Sequence, residues 1–417
     1  MTDGDGLKLL DPKLYARGGA PHDFFTELRA SAPVSRFRIE PRRGIEIEPF
    51  WAITKHADIQ HISKRPHLFL SEPGITLQPL ESEQREIPGF NQMRVVITMD
   101  PPEHREVRQV ASPWFTPRSV KRIEGAVRKS AKQLVDALAR KPDEVVDLVT
   151  DVAIKHPLRI LATALGIPEE QERKILGLSN RLFAPDDEEL GGGRTEIEDF
   201  AQLGMEFMQL FLPIIQDRRQ NPRDDLASVL ANGQVGGAPM GPMETLGYYL
   251  IVFNAGHDTT KNALAGGLRA LVEHPDQFEK LRRDPSLVPT AVEEILRWTS
   301  PVNYMKRTAA RDVVVNGQKI PKGEALVLFY ASGNRDEDVF RDPFTFDVAR
   351  KPNTHVAFGY GEHFCMGAHF ARQSLVAIVD ELVRRVEHWE LAGEPEWIAA
   401  SFVVGLKHLP VRVRVAG

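Results

Sequence analysis

The sequence predicts a mostly α protein with small β-sheets, an α+β chain, on three observations. From about residue 120 to 285, apolar residues recur three and four apart, the spacing of amphipathic helices. β-Branched and aromatic runs are few and clustered, in PFWAITKH near the start and in RDVVVNGQKIPKGEALVLFY at 311 to 330. A stretch of about thirty residues, NRDEDVFRDPFTFDVARKPNTHVAFGYGEHF, then carries scattered prolines and no sustained period, and loops that long inside a compact domain are usually functional.

Each element follows from its local pattern. SVKRIEGAVRKSAKQLVDALA, EVVDLVTDVAIKHPLRILATALG and IEDFAQLGMEFMQLFLPIIQDRRQ predict helices. DDEELGGGRTE reads as a surface loop, because no Lys-Ser or Lys-Thr pair follows its glycines to make a phosphate loop. YLIVFNAGHDTTKNALAGGLRALVEH predicts a long apolar helix, and the Asn-Gly pair between Val315 and Gln318 predicts a tight hairpin. MGAHFARQSLVAIVDELVRRVEHWEL predicts a last amphipathic helix. With no repeat, linker or low-complexity tract in view, residues 1–417 are read as one domain.

Composition narrows the class. Hydrophobic residues make up 42% and charged residues 27%, the balance of a globular protein. A net charge of −5 lacks the basic footprint of a nucleic-acid binder. The start has no basic segment leading into an apolar signal, and the most apolar run, YYLIVFNAG, falls far short of the roughly 20 residues that span a bilayer. One cysteine makes no internal disulfide, so the expected location is the cytoplasm.

Four stretches carry chemistry. In FGYGEHFCMG, Cys365 stands just before a helix N-terminus, where free amide donors favour a thiolate; the alternative is an inert buried thiol. The long helix holds a polar knot, Gly256 to Thr260, and buried hydroxyl and carboxylate groups cost roughly 1–3 kcal/mol each if unpaired. Such a knot faces a ligand, water or partner side chain, or else Asp258 caps a helix start. In AVEEILRWTSP, Glu294 and Arg297 share a helical face and gain meaning if buried against the irregular segment before Cys365. In MDPPEHREVRQVASPWFTPRSV, His104 and Arg108 share a face that suits a carboxylate or is a solvated basic surface.

Taken together these residues resemble the cytochrome P-450 superfamily, the haem-thiolate monooxygenases. FGYGEHFCMG fits the cysteine-loop signature, AGHDTT the oxygen-activation motif and EILR the Glu-x-x-Arg pair, with DPPEHREVR and KRTAARDV in the matching order and spacing. His257 and Met366 are small departures from the pattern. The absence of a membrane anchor resembles the bacterial members.

The resemblance implies the cytochrome P-450 fold, a long central helix over haem b, and a role for each matching residue. Cys365 would be the axial thiolate of the iron, and thiolate donation favours O–O cleavage. Asp258 and Thr259 resemble the acid–alcohol pair that delivers protons, with Ala255 and Gly256 leaving space for dioxygen. His104, Arg108, Arg307 and His363, joined by His355, would hold the haem propionates. Phe358 would pack near the sulfur, Gly367 would admit the flat cofactor, and Glu294 with Arg297 would hold the segment that presents Cys365.

For substrate, the resemblance implies an apolar pocket lined by Ile251, Asn254, Ala255, Val302 and Val403, with Asn254 orienting a polar group and residues 71 to 97 covering the opening. The expected reaction is hydroxylation of a terpenoid, a steroid side chain or a small aromatic with O2. Two electrons would come from NAD(P)H through a reductase and a ferredoxin docking on Arg118, Lys121, Arg122 and Arg372. A monomer is expected. Two other classes compete: a zinc protein using His355, His363, Cys365 and His369, whose spacing fits no closed tetrahedral site, and a haem protein that only binds or senses, or uses peroxide. Asp258 and Thr259 favour dioxygen activation.

Overall fold

The structure, a computed structural model, describes residues 6–39, 46–77, 94–193 and 197–416. The helical spacing of the middle of the chain is realised as α1 (Glu103–Ala111), α2 (Glu124–Ala139), α3 (Lys155–Ala164), α4 (Glu172–Phe183) and α5 (Ile197–Gln220). The long α6 (Pro242–Glu273) follows, then α7 (Val288–Thr299) and α8 (Ala368–Arg385).

α6 joins two apolar cores. Leu246 to Phe253 pack with α3, α4 and α5, whereas Ala263 to Val272 pack with α2, α7 and α8. Each large side chain fully buried this way stabilises the fold by roughly 1.5–3 kcal/mol. The polar stretch 254–262 lies where the two cores meet, which is how one helix crosses the protein and still carries hydroxyl and carboxylate groups at its middle.

Two segments predicted as helix are partly strand. In EVVDLVTDVAIKHPLRILATALG, Val145–Asp147 is a strand and only Lys155–Ala164 is α-helical. In the last segment, Val386–Leu391 leaves α8 as a strand. Both pair with Pro410–Val415 in a three-stranded sheet. A bulge between Val386 and His388 lets Val386 and Trp389, three apart, both face the core, which imitates helical spacing in the sequence.

A five-stranded sheet stands beside the helices: β1 (Val34–Phe37), β2 (Phe50–Ile53), β3 (Phe69–Leu70), β4 (Tyr304–Ala309) and β5 (Ala325–Phe329). Its order is β1-β2-β5-β4-β3, with β2 and β5 parallel and the other pairs antiparallel. Strand alternation puts Met305 and Arg307 on one face of β4 and Tyr304 and Lys306 on the other. The predicted hairpin forms between Val313–Val315 and Gln318–Ile320, with positive φ at both Asn316 and Gly317 as its turn requires. Among the described residues no helix is long and apolar enough to cross a membrane.

Candidate active site

The backbone N–H of Cys365 donates to the Phe358 carbonyl at 2.9 Å, closing a loop with Gly359 at φ 69° and Gly361 at φ 71°. A Cβ on Gly361 would meet the Ser63 carbonyl oxygen at 2.2 Å, so glycine is required there. Gly367 has an ordinary φ of −82° and caps α8. Burial pushes the Cys365 thiol up, while the Gly367 N–H and the charges of Arg108 and Arg372 favour its thiolate. Cys365 lines a cavity whose walls include Leu161, Ile251, Val302 and Met305, a largely apolar lining of the kind that takes a small molecule.

One edge of this cavity is cationic, formed by His104 and Arg108 from α1, Arg307 from β4 and His363 from the cysteine loop. The His104 and His363 rings lie 4.1 Å apart. His363 meets Ser71 Oγ at 3.0 Å through Nε2, and burial, with Arg307, His104 and Arg108 close by, pushes its pKa down to about 2. Burial likewise lowers His104, whose Nδ1 has no hydrogen-bond partner among the described residues, Glu362 Oε1 standing off at 4.0 Å. Arg108 donates to the Phe364 carbonyl at 2.6 Å, and Arg307, 5% exposed, donates to the Lys306 carbonyl at 2.7 Å. Neither guanidinium makes an ion pair among the described residues. Asp100, which acts on Arg307 electrostatically, accepts from the Ser71 and Glu72 N–H groups instead.

A buried cation without a counter-charge is costly, so this edge is built for an anion. A thiol, apolar walls and a cationic edge together fit an iron protoporphyrin, whose two carboxylates would meet the arginines and histidines. The described residues hold no cluster of histidine, cysteine and carboxylate groups for a bare metal ion, which removes the zinc reading.

α6 supplies another wall through Ile251, Ala255, Gly256 and Thr259, the four-residue step of one helical face. Thr259 Oγ1 donates to the Ala255 carbonyl at 2.6 Å, a back-bond within the helix, and α6 stays helical through it. Asn254 and Asp258 do not share this wall. One residue earlier means about 100° round the helix, and both turn toward α4. Ser179 donates to Asn254 Oδ1 at 2.8 Å and to Asp258, and Asn254 Nδ2 donates to the Leu250 carbonyl at 2.9 Å. Asn254 therefore cannot orient a substrate from here. Burial alone would raise the Asp258 carboxyl, but Lys261 Nζ at 2.5 Å and His257 hold it well below the usual carboxylate range. The acid and alcohol expected as a pair are split between two faces of the helix.

The sequence profile of the family described as Cytochrome P450 matches residues 76–413. The chain belongs to the cytochrome P450 family. It is 38% identical over 391 residues to the methyl-branched lipid omega-hydroxylase of Mycobacterium bovis, covering 93% of this chain and 90% of that protein. Linalool 8-monooxygenase of Pseudomonas putida is 34% identical over 414 residues, covering 97% and 98%. The crystal structure of CYP108D1 from Novosphingobium aromaticivorans matches with a TM-score of 0.90 at 36% identity, over 100% of this chain and 99% of that one. This P450 is an oxidoreductase, a haem monooxygenase for apolar substrates that works with O2 and a redox partner.

Around the P450 cavity the remaining residues fall into two groups. Phe358 and Gly367 line it, as does Val302. Val403 pairs with Val302 in an isolated antiparallel bridge and, unlike Val302, is not part of the wall. His355 does not join the cationic edge; its Nε2 meets Glu293 Oε2 at 3.1 Å. Arg372 is bound to the same carboxylate at 2.6 and 2.8 Å and lies over the Phe358 ring, so it is no free docking cation. Burial would raise Glu293, but Arg372 and His355 draw it down to about 2.

Glu294 and Arg297 are fully buried and joined by two 2.8 Å bonds. Arg297 also donates to the carbonyls of Asn334 and Pro343, and Glu294 accepts from Arg350 Nε, the Asp347 N–H and Asn353 Nδ2. The pair thus pins the irregular segment that leads to Cys365. Arg350 went unmarked in the sequence, where nothing in FDVARKP distinguishes it from a surface arginine. Met305 was legible in principle, since strand alternation places it beside Arg307. Leu161 and Phe115 join the wall only through tertiary packing. Of the expected cover, 71 to 97, Val96 and Ile97 line the cavity and residues 78–93 lie outside the described residues.

Proposed function

We propose that this P450 inserts one oxygen atom of O2 into an unactivated C–H bond of a small branched apolar molecule, the second oxygen leaving as water with two protons. A terpenoid, a steroid side chain or a small aromatic fits this description. The carrying observation is that Cys365, the Ala255–Gly256–Thr259 face and an apolar wall meet in one cavity. When bound, the haem supplies O2 activation, to which an axial thiolate contributes by favouring O–O cleavage.

The chain's residues divide the remaining work. Cys365 would ligate the iron, and the bond from its N–H to the Phe358 carbonyl fixes the loop that presents it to the cavity. His104, Arg108, Arg307 and His363 anchor the carboxylate edge. Ala255 and Gly256 leave room beside α6. Thr259, its own proton committed to the Ala255 carbonyl, offers oxygen lone pairs to a donor in the cavity and so steadies the proton on it. Asp258 stays ionised behind the helix, as the anchor of Lys261. Among the described residues, apart from Thr259 and Thr260, the polar side chains of the cavity belong to the cationic edge, the cysteine loop and Tyr330, so the wall they offer a substrate favours shape and apolar contact. Similarity to a linalool monooxygenase and to a methyl-branched lipid hydroxylase supports a branched aliphatic skeleton.

Electrons would arrive from NAD(P)H through a reductase and a ferredoxin. Arg118 and Lys121 are exposed and unpaired by any ion pair among the described residues, whereas Arg122 is bound to Asp224 at 2.8 Å. The two free cations suit an acidic partner.

Reduced protein under carbon monoxide should show the long-wavelength band of a thiolate-ligated haem, lost in Cys365→Ser. Protein that stays colourless after haem supplementation overturns the reading. Linalool, branched fatty acids, sterols and aromatic acids, scored by the spectral change on displacing water from the iron, then sort the substrate classes.

A further inference from the structure

Tyr330 follows β5, and its backbone N–H donates to the Asn303 carbonyl at 2.8 Å. Its ring packs with Leu326, Leu328 and Val356, leaving the residue 4% exposed. Yet the hydroxyl has no hydrogen-bond partner among the described residues. Tyr15 and Tyr248, as deeply buried, donate to the Leu9 carbonyl at 2.6 Å and the Val107 carbonyl at 3.2 Å. Tyr304 shares the lack but does not line the cavity, whereas Tyr330 does. A phenol in the cavity wall whose hydroxyl finds no protein acceptor is placed to donate to a ligand there.

The location says which ligand. A Cβ on Gly359 would lie 3.5 Å from the Tyr330 hydroxyl oxygen, which puts that oxygen beside the cysteine loop. The same Cβ would lie 3.7 Å from the carbonyl oxygen of His363, a member of the cationic edge, and Arg307, on the neighbouring strand β4, lines the same cavity. Burial pushes the phenol up, so it remains a neutral donor. A neutral phenol and a buried guanidinium at one cavity edge call for a shared anionic acceptor, and a carboxylate has two oxygens to serve both.

We propose that Tyr330 and Arg307 jointly bind one carboxylate of the haem, Tyr330 being a further cofactor-binding residue. The inference rests on the haem-thiolate reading of the same cavity. The ferric holoprotein tests it through the rate at which haem passes to excess apomyoglobin. Tyr330→Phe keeps the ring and removes only the hydroxyl, and should lose haem about tenfold faster. Arg307→Lys should also lose it faster, and the double variant should lose it more slowly than the product of the two effects, since both donors serve one acceptor. An unchanged rate in Tyr330→Phe, or strictly multiplicative effects, overturns the proposal. A general loosening of the fold would give the multiplicative result. A wild-type protein without the thiolate band overturns the cofactor reading itself; a normal band with an unchanged loss rate overturns only the role of Tyr330.

Discussion

The protein contains two arginine clusters built for opposite purposes, one buried around Glu294 and one at the cavity edge, where Arg307 is buried and Arg108 half-buried. Around Glu294, the charges of Arg297 and Arg350 are met by one carboxylate and the remaining donors by backbone carbonyls. Along the cavity edge, Arg108 and Arg307 make no ion pair among the described residues and sit beside two imidazoles, one of them 4.0 Å from Glu362. A buried ion cluster closed upon itself is structural, because its desolvation cost is already offset within the protein. One left open carries that cost until an anion arrives, and so marks a binding site.

Breaking the closed cluster should do most damage. Glu294→Ala strands Arg297 and Arg350 without a counter-charge and should cost about 3–5 kcal/mol, with or without haem. Urea unfolding measures it, and a loss under 1 kcal/mol would contradict a structural clamp. The open cluster predicts the reverse. Arg307→Met should leave the melting temperature of the haem-free protein unchanged or raised, while haem titration shows affinity down at least about tenfold. Equal damage to both forms would erase the distinction.

Glu293 lies between these extremes, bound by Arg372 and His355 yet partly exposed. Its pKa is drawn down from 4.5 to about 2, so the folded state binds fewer protons than the unfolded one in that range. Its contribution is complete above about pH 4.5 and is lost as pH falls toward 2. After allowance for solvent screening it amounts to about 1–2 kcal/mol. Urea midpoints at pH 6 and pH 3 should therefore differ less in Glu293→Gln than in the wild type; equal differences would discount the pair. The exposed cations come last. Arg118→Glu with Lys121→Glu should change stability by no more than about 0.5 kcal/mol, yet slow reduction by a ferredoxin several-fold at low salt. Stopped-flow reduction that is insensitive to the change would move the docking face elsewhere.

Some of this was readable in the chain before folding. The cysteine loop was, because ligand, glycines and following helix are contiguous, and so was Glu294–Arg297, because one helical turn links the pair. The long helix was legible in type and extent, but its polar knot was not legible in direction. Asn254, Asp258 and Thr259 look alike as a run of letters, yet a rotation of about 100° per residue sends the first two to α4 and the third to the cavity. His355 and Arg372 have the right charge for the roles expected of them, and the nearby Glu293 claims both.

The sequence by itself determined the family, the sulfur proposed as the ligand and most of the helices, since these are written in residues close together in the chain. Tertiary structure alone decided which face of α6 meets the cavity, which arginines make no ion pair among the described residues, and that Tyr330 lines the same cavity as Arg307 with no hydroxyl partner among them. The reason is physical: whether a buried polar group is satisfied depends on what packs against it, and in this fold those neighbours are often hundreds of residues away, as Arg108 is from Phe364.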